Sequence, residues 1–201
     1  MAKISKEYES RILLTEEQYL KMVSYFLNKK INRPFIQNTN IYLDDADLNL
    51  QKNGMTLRIR IINDAHSELT LKEKNILGDN EYSDDILQKD IDLILKKGIF
   101  PEGVVKNKLI SLSRPLSSYQ ELTRLYNRRL EIRESDHLVV IDKNTYGDVV
   151  DYNLEIETDE SVVKAQEWLN FYIEKFNIEK GEEKYIGKAH RAINEAIKRR
   201  H

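Results

Sequence analysis

The sequence predicts an α+β domain dominated by antiparallel sheet. Short runs that alternate apolar and charged residues at period two recur along the 201-residue chain, as half-buried strands do. Longer stretches with helical apolar spacing stand beside them, so the segments change type repeatedly. Punctuation is sparse, with 3 Pro, 7 Gly and no internal repeat or linker, and the whole of 1–201 reads as one domain.

In chain order, residues 3–13 (KISKEYESRIL) read as a strand and 15–30 as an amphipathic helix. Thr15 followed by Gln18 forms a capping box at its start. Strands follow at 38–44 (NTNIYLD), 55–63 (MTLRIRIIN) and 67–75 (SELTLKEKN). The segment 83–97 reads as a helix, with acids at its head, lysines at its tail and Gly98 beyond. The run GIFPEG at 98–103 looks like a turn. Then 104–113, 121–134, 137–143 and 150–158 read as strands, and 161–177 and 184–199 close the chain as helices.

Composition excludes several function classes. The 32 basic and 34 acidic residues leave a formal charge of −2, which argues against a nucleic-acid coat. Without cysteine there is neither a disulfide framework nor a thiolate metal site. MAKISKEYES lacks an apolar signal region, and no run approaches the roughly 18 apolar residues of a spanning helix. A cytoplasmic protein with no membrane or nucleic-acid partner is the expectation. Phosphate loops of the G-x-x-x-x-G-K-[ST] or G-x-G-x-x-G type are absent. His66, His137, His190 and His201 match no metal or triad spacing, and a surface position is expected for His190.

The charged faces of the strands carry more information. Arg58 and Arg60 share one face, opposite Leu57, Ile59 and Ile61; Lys72 and Lys74 oppose Leu69 and Leu71. Arg129, Glu131 and Arg133 oppose Leu130 and Ile132. Glu7 and Glu9, like Glu155 and Glu157, are carboxylates two apart on one face, an unfavourable pairing unless cations lie between them. Half-solvated strands account for each face singly. If the sheet closes into a barrel with helices outside, the same faces line a wet lumen that calls for a polyanion and divalent cations.

With these residues in view the chain resembles the CYTH superfamily of triphosphate tunnel metalloenzymes, and in particular its small stand-alone bacterial members. EYESR (7–11) is similar to the family's E-x-E-x-K signature. NIYLD (40–44), TLRIR (56–60), TLKEK (70–74), RRLEI (128–132), LVVID (138–142), LEIE (154–157) and Lys188 with Arg191 follow in the family order, across nearly the whole chain. The resemblance implies a closed eight-stranded antiparallel β-barrel, or tunnel, with helices packed on the outside. It implies Mg²⁺ or Mn²⁺ as cofactor and a small-molecule triphosphate as substrate, and homodimers are common in such proteins.

Carried over residue by residue, the resemblance makes Glu7, Glu9 and Arg11 catalytic. Glu7, Glu9, Asp142, Glu155 and Glu157 become hard oxygen ligands for the metal. Arg58, Arg60, Lys72, Lys74, Arg129, Lys188 and Arg191 become the phosphate-binding set. Glu131 and Arg133 serve either the ligand or an internal ion pair. Arg11 departs from the family lysine, keeping the charge in a planar fork. The expected activity is metal-dependent hydrolysis of inorganic tripolyphosphate or a related triphosphate, without a protein nucleophile. A class IV-type adenylate cyclase and a non-catalytic polyphosphate- or nucleotide-binding module are the alternatives.

Overall fold

Alternating strands and amphipathic helices assemble as α+β, with eight antiparallel strands. The computed structural model describes residues 3–28, 34–74, 79–113, 115–179 and 185–199; the side chains of residues 3–7 and 79 lie outside the description. The elements run β1 (Lys3–Leu14), α1 (Glu16–Asn28), β2 (Ile36–Asp44), α2 (Asn49–Lys52), β3 (Met55–Ile62), β4 (His66–Glu73), β5 (Asp79–Ile86), α3 (Gln88–Lys97), α4 (Val104–Ser111), β6 (Gln120–Arg133), β7 (Leu138–Tyr146), β8 (Val149–Thr158), α5 (Val162–Phe176) and α6 (Lys188–Lys198). A short 3-10 turn at Leu116–Ser118 precedes β6. The predicted ends at residues 29–30, 75 and 184 fall outside the described residues.

Contacts divide the chain into two units. The first, built on Asn38–Leu125 and Ala189–His201 with the first residues of β1, holds the antiparallel run β2-β3-β4-β5. Asn63 and Asp64 both take positive φ in the tight β3–β4 turn, and Ala65 N–H closes it on the Ile62 carbonyl at 3.0 Å. Ile41, Leu43, Leu57, Ile59, Leu69 and Leu71 form the apolar face, covered by Ile91 and Ile94 of α3 and Val105 and Leu109 of α4. Tyr42, Asn40, Arg58, Arg60, Glu68, Thr70, Lys72 and Glu81 share the opposite face.

The second unit, Glu7–Gln37 and Tyr126–Lys188, holds β6-β7-β8-β1. Leu130, Ile132, Val139, Ile141, Leu154 and Ile156 pack against Met22 and Phe26 of α1 and Leu169, Tyr172 and Phe176 of α5. The predicted capping box at α1 forms: Thr15 N–H donates to Gln18 Oε1 at 2.8 Å and Gln18 N–H to Thr15 Oγ1 at 3.2 Å. His137 lies buried in the β6–β7 turn, 2.9 Å from Asp136 Oδ1 and 3.1 Å from the Tyr172 hydroxyl, and stacks on Trp168. This clasp ties the turn to α5.

Two sequence expectations are corrected. Residues 83–86 belong to β5, and helix α3 begins only at Gln88. Asp90 Oδ2 accepts from Leu87 N–H and caps α3, whereas Asp84 reaches forward to accept from Val104 and Val105 N–H at 3.1 and 2.8 Å. The acids at 84 and 85 therefore do not mark the head of that helix. Residues 104–111 form α4, not a strand. The helical spacing of buried Val105 and Leu109 outweighs the β-branched composition of the segment. His190, expected at the surface, is partly exposed in the first turn of α6.

Candidate metal centre and phosphate-binding residues

In the second unit the β8–β1 register sets Glu9 across from Glu157 and Arg11 across from Glu155. Glu9, Glu155 and Glu157 thereby bring carboxylate oxygens within 4.8 Å of one another, a grouping compatible with one cation. An octahedral ion about 2.1 Å from each ligand separates its ligand atoms by about 3 to 4 Å, so small side-chain rotations close the difference. Glu7 lies on β1, and its side chain falls outside the described residues.

Asp142 sits one strand further along the same face, fully buried, with its oxygens already engaged. Arg129 meets it with a two-pronged bond, Nε to Oδ1 and Nη2 to Oδ2, both at 2.9 Å. Lys188 Nζ donates to Asp142 Oδ2 at 2.7 Å and to both oxygens of Glu155 at 3.0 and 3.1 Å. Arg129 Nη2 also reaches Glu155 at 3.1 Å. Two cations and two carboxylates thus form one buried, hydrogen-bonded cluster that shares Glu155 with the three-carboxylate group.

Protonation states follow from that geometry. Burial works against the Asp142 carboxylate, but Arg129 and then Lys188 overcome it and hold its pKa well below the ordinary value. Burial opposes Glu155 too, and Lys188 leads the groups that bring it down to about 2. Burial also opposes the Arg129 charge, yet Asp142 and Glu155 raise its pKa well above normal. For Lys188 burial prevails, with Arg129 repelling it, so its ammonium is held less firmly than a free lysine's.

Beyond Asp142 the polar face continues through buried Asn153, Asn144 and Asn127. Asn144 Nδ2 donates to Asn153 Oδ1 at 2.7 Å and Asn127 Nδ2 to Asn144 Oδ1 at 3.0 Å. Sequence reasoning passed over this ladder because lone asparagines in strands carry no motif.

In the first unit, Arg58 and Arg60 of β3 point to the polar face. Arg60 lies 3.2 Å from Glu68 Oε1 and donates to Asn40 Oδ1 at 3.3 Å; Arg58 is buried, 3.7 Å from the same Glu68 oxygen. Arg58 Nη2 is shielded from solvent without a hydrogen-bond partner. Lys72 pairs with Glu81 at 2.6 Å. Burial opposes the Glu81 charge, but Lys72, then Arg58 and Arg60, keep its pKa low. Glu68 was hidden because its partner Arg60 comes from the neighbouring strand. Glu81 was hidden because residues next to it read as helix. Lys74 lies exposed just past the end of β4, and Arg191 is half-buried on α6.

In each unit the strands are therefore apolar where helices cover them and densely charged on the other side. Residues 5–183 match the model of the CYTH domain, and the chain belongs to that family. It is 28% identical over 151 residues to YjbK of Bacillus subtilis (strain 168), provisionally described as a triphosphatase, covering 75% of this chain and 76% of that one. A Bacillus halodurans protein provisionally described as an adenylate cyclase superposes with a TM-score of 0.83 at 26% identity, over 94% of this chain and 97% of that one. HpAC1 from Hippeastrum, a cyclase-like protein with a dominant triphosphatase activity, shares the fold with a TM-score of 0.76 at 18% identity, over 95% and 96% of the two chains. Among the described residues no helix is long and apolar enough to cross a membrane.

Proposed function

We propose that this chain is a metal-dependent triphosphatase that hydrolyses inorganic tripolyphosphate or a related small triphosphate. The observation that carries the reading is the Glu9–Glu155–Glu157 group, set beside arginine and lysine on one sheet face in a CYTH chain. The similarity to the Bacillus subtilis protein supports the reaction type. One CYTH domain over 1–201 and closure of the eight strands into a tunnel, with helices outside, belong to this reading. They rest on the family and on the sidedness of each sheet.

In this mechanism Glu9, Glu155 and Glu157, joined by Glu7 of β1, would hold Mg²⁺ or Mn²⁺, which would supply positive charge to phosphate oxygens and to the water for in-line attack. Asp142 anchors Arg129 and Lys188 beside the group, and where Glu155 turns to the ion their bonds to it would be released toward the phosphate chain. Arg58, Arg60 and Lys72, held by Glu68 and Glu81, serve the same anion. Lys74 and Arg191 complete the set at its margins. No side chain acts as nucleophile.

The test is phosphate release from tripolyphosphate with Mg²⁺ or Mn²⁺, native chain against Glu9→Gln. Metal-dependent release that the substitution lowers at least about 100-fold is expected. Absence of release from tripolyphosphate and from other triphosphates would overturn the reading. The Bacillus halodurans relative favours a second possibility, cyclisation of ATP by its own ribose hydroxyl. Formation of cAMP with little phosphate release would establish it instead.

A further inference from the structure

Arg11 projects into the carboxylate group itself. Its guanidinium pairs with Glu9, places Nε 3.8 Å from Glu155 Oε1, and lies 5.9 Å from the centre of the Tyr185 ring. Nε is shielded from solvent without a hydrogen-bond partner. One arginine thus spans two of the three carboxylates that make up the candidate cation group. Two other cations of this face are fixed differently. Arg129 and Lys188 are each anchored by several bonds to Asp142 and Glu155, and their side chains are 10% and 14% exposed. The Arg11 side chain is 25% exposed and has one close pairing and one loose one.

We infer that Arg11 is the resident counter-cation of Glu9 in the Glu9–Glu155–Glu157 group: it competes with a divalent ion for Glu9 and, once displaced, pairs with a phosphate oxygen of the substrate. The inference rests on the reading of this group as a metal site. A guanidinium never loses its proton in water, so it leaves a carboxylate only for another anion. An ion bound to Glu9 takes the oxygens that Arg11 uses and repels it at close range. A phosphate offers the fork geometry that the carboxylate gave. Metal and triphosphate therefore bind with positive coupling, each weakly when alone. Arg11 suppresses metal loading until substrate arrives.

The experiment measures Mn²⁺ binding to the substrate-free chain, following the free-ion EPR signal, for the native protein, Arg11→Gln, Arg11→Met, Arg11→Lys and Glu9→Gln. Circular dichroism checks that each is folded. Removing the competing charge in Arg11→Gln or Arg11→Met is expected to tighten Mn²⁺ binding about tenfold. Arg11→Lys, which keeps the charge, stays nearer the native value, and Glu9→Gln weakens binding. A role for Arg11 in structure alone predicts no tightening. If the neutral variants bind Mn²⁺ no better than the native chain while Glu9→Gln weakens it, the inference is overturned and the metal reading stands. If none of the five binds Mn²⁺, the metal reading itself fails, and the inference falls with it.

Discussion

Asp142 shows what a residue read singly conceals. Its place in LVVID suggested a metal ligand, yet its oxygens accept from Arg129, 13 positions earlier, and Lys188, 46 positions later. Sequence spacing reports which residues share a strand face, not which cation from another element arrives there. The same limit hid Glu68 and Glu81 as partners of Arg60 and Lys72. The pairs Glu9 with Arg11 and Glu155 with Glu157 were legible, because strand neighbours at spacing two meet on one face regardless of the rest of the fold. The energetic consequence is direct. Asp142→Asn leaves Arg129 and Lys188 buried with one anion fewer, and removal of one partner from a buried ion pair costs about 3–5 kcal/mol. Urea denaturation at pH 7 is expected to show that loss; a change below about 1 kcal/mol would mean that the cluster relaxes or hydrates without penalty.

At the scale of elements, strands were legible where alternation was strict, as in TLRIRI and YNLEIET, each of which forms part of a strand. The capping box located the start of α1. The misreadings fell where local chemistry served a distant partner. Asp84 caps α4 from twenty residues upstream, and the valines of α4 pack on β-strands while lying in a helix. Gly98 was read correctly as the stop of α3, and its geometry explains why. It takes φ 64°, its N–H bonds to the Ile94 carbonyl at 2.9 Å, and an added Cβ would lie 2.5 Å from Ser117 Cα. Backbone cannot yield as a flexible side chain can. Gly98→Ala combines a left-handed alanine with that overlap, at a cost of about 1–3 kcal/mol. A fall in Tm of about 2 to 12 °C is expected by calorimetry. A shift within 1 °C would show that the α3–β6 connection moves freely to admit the methyl group.

Across the whole molecule the two units repeat one plan: an apolar sheet face under helices, and an opposite face on which carboxylates are held ionised by arginine and lysine. On those faces Glu81, Asp142 and Glu155 have pKa values below those of free carboxyls; so do Glu73, which Lys108 of α4 holds on the helix side, and Asp136, which His137 holds in the β6–β7 turn. The sign of the resulting pH dependence is fixed. Between the folded and unfolded pKa values the unfolded chain binds more protons, so stability is fully present above about pH 5 and is lost as pH falls. Glu155, whose carboxylate Lys188 and Arg129 hold ionised against its burial, contributes in this direction. The loss should be spread over about pH 5 to 2. Trp168, the single tryptophan, lies on α5, stacks on His137 and reports the second unit, while circular dichroism reports both. Urea midpoints measured at pH 7, 5, 4 and 3 are expected to fall at the acid end by both signals. Asp142→Asn should begin lower at pH 7 but fall less steeply, since one of the titrating anions is gone. Parallel profiles for the two chains would mean that the buried cluster does not set the acid limit of this fold.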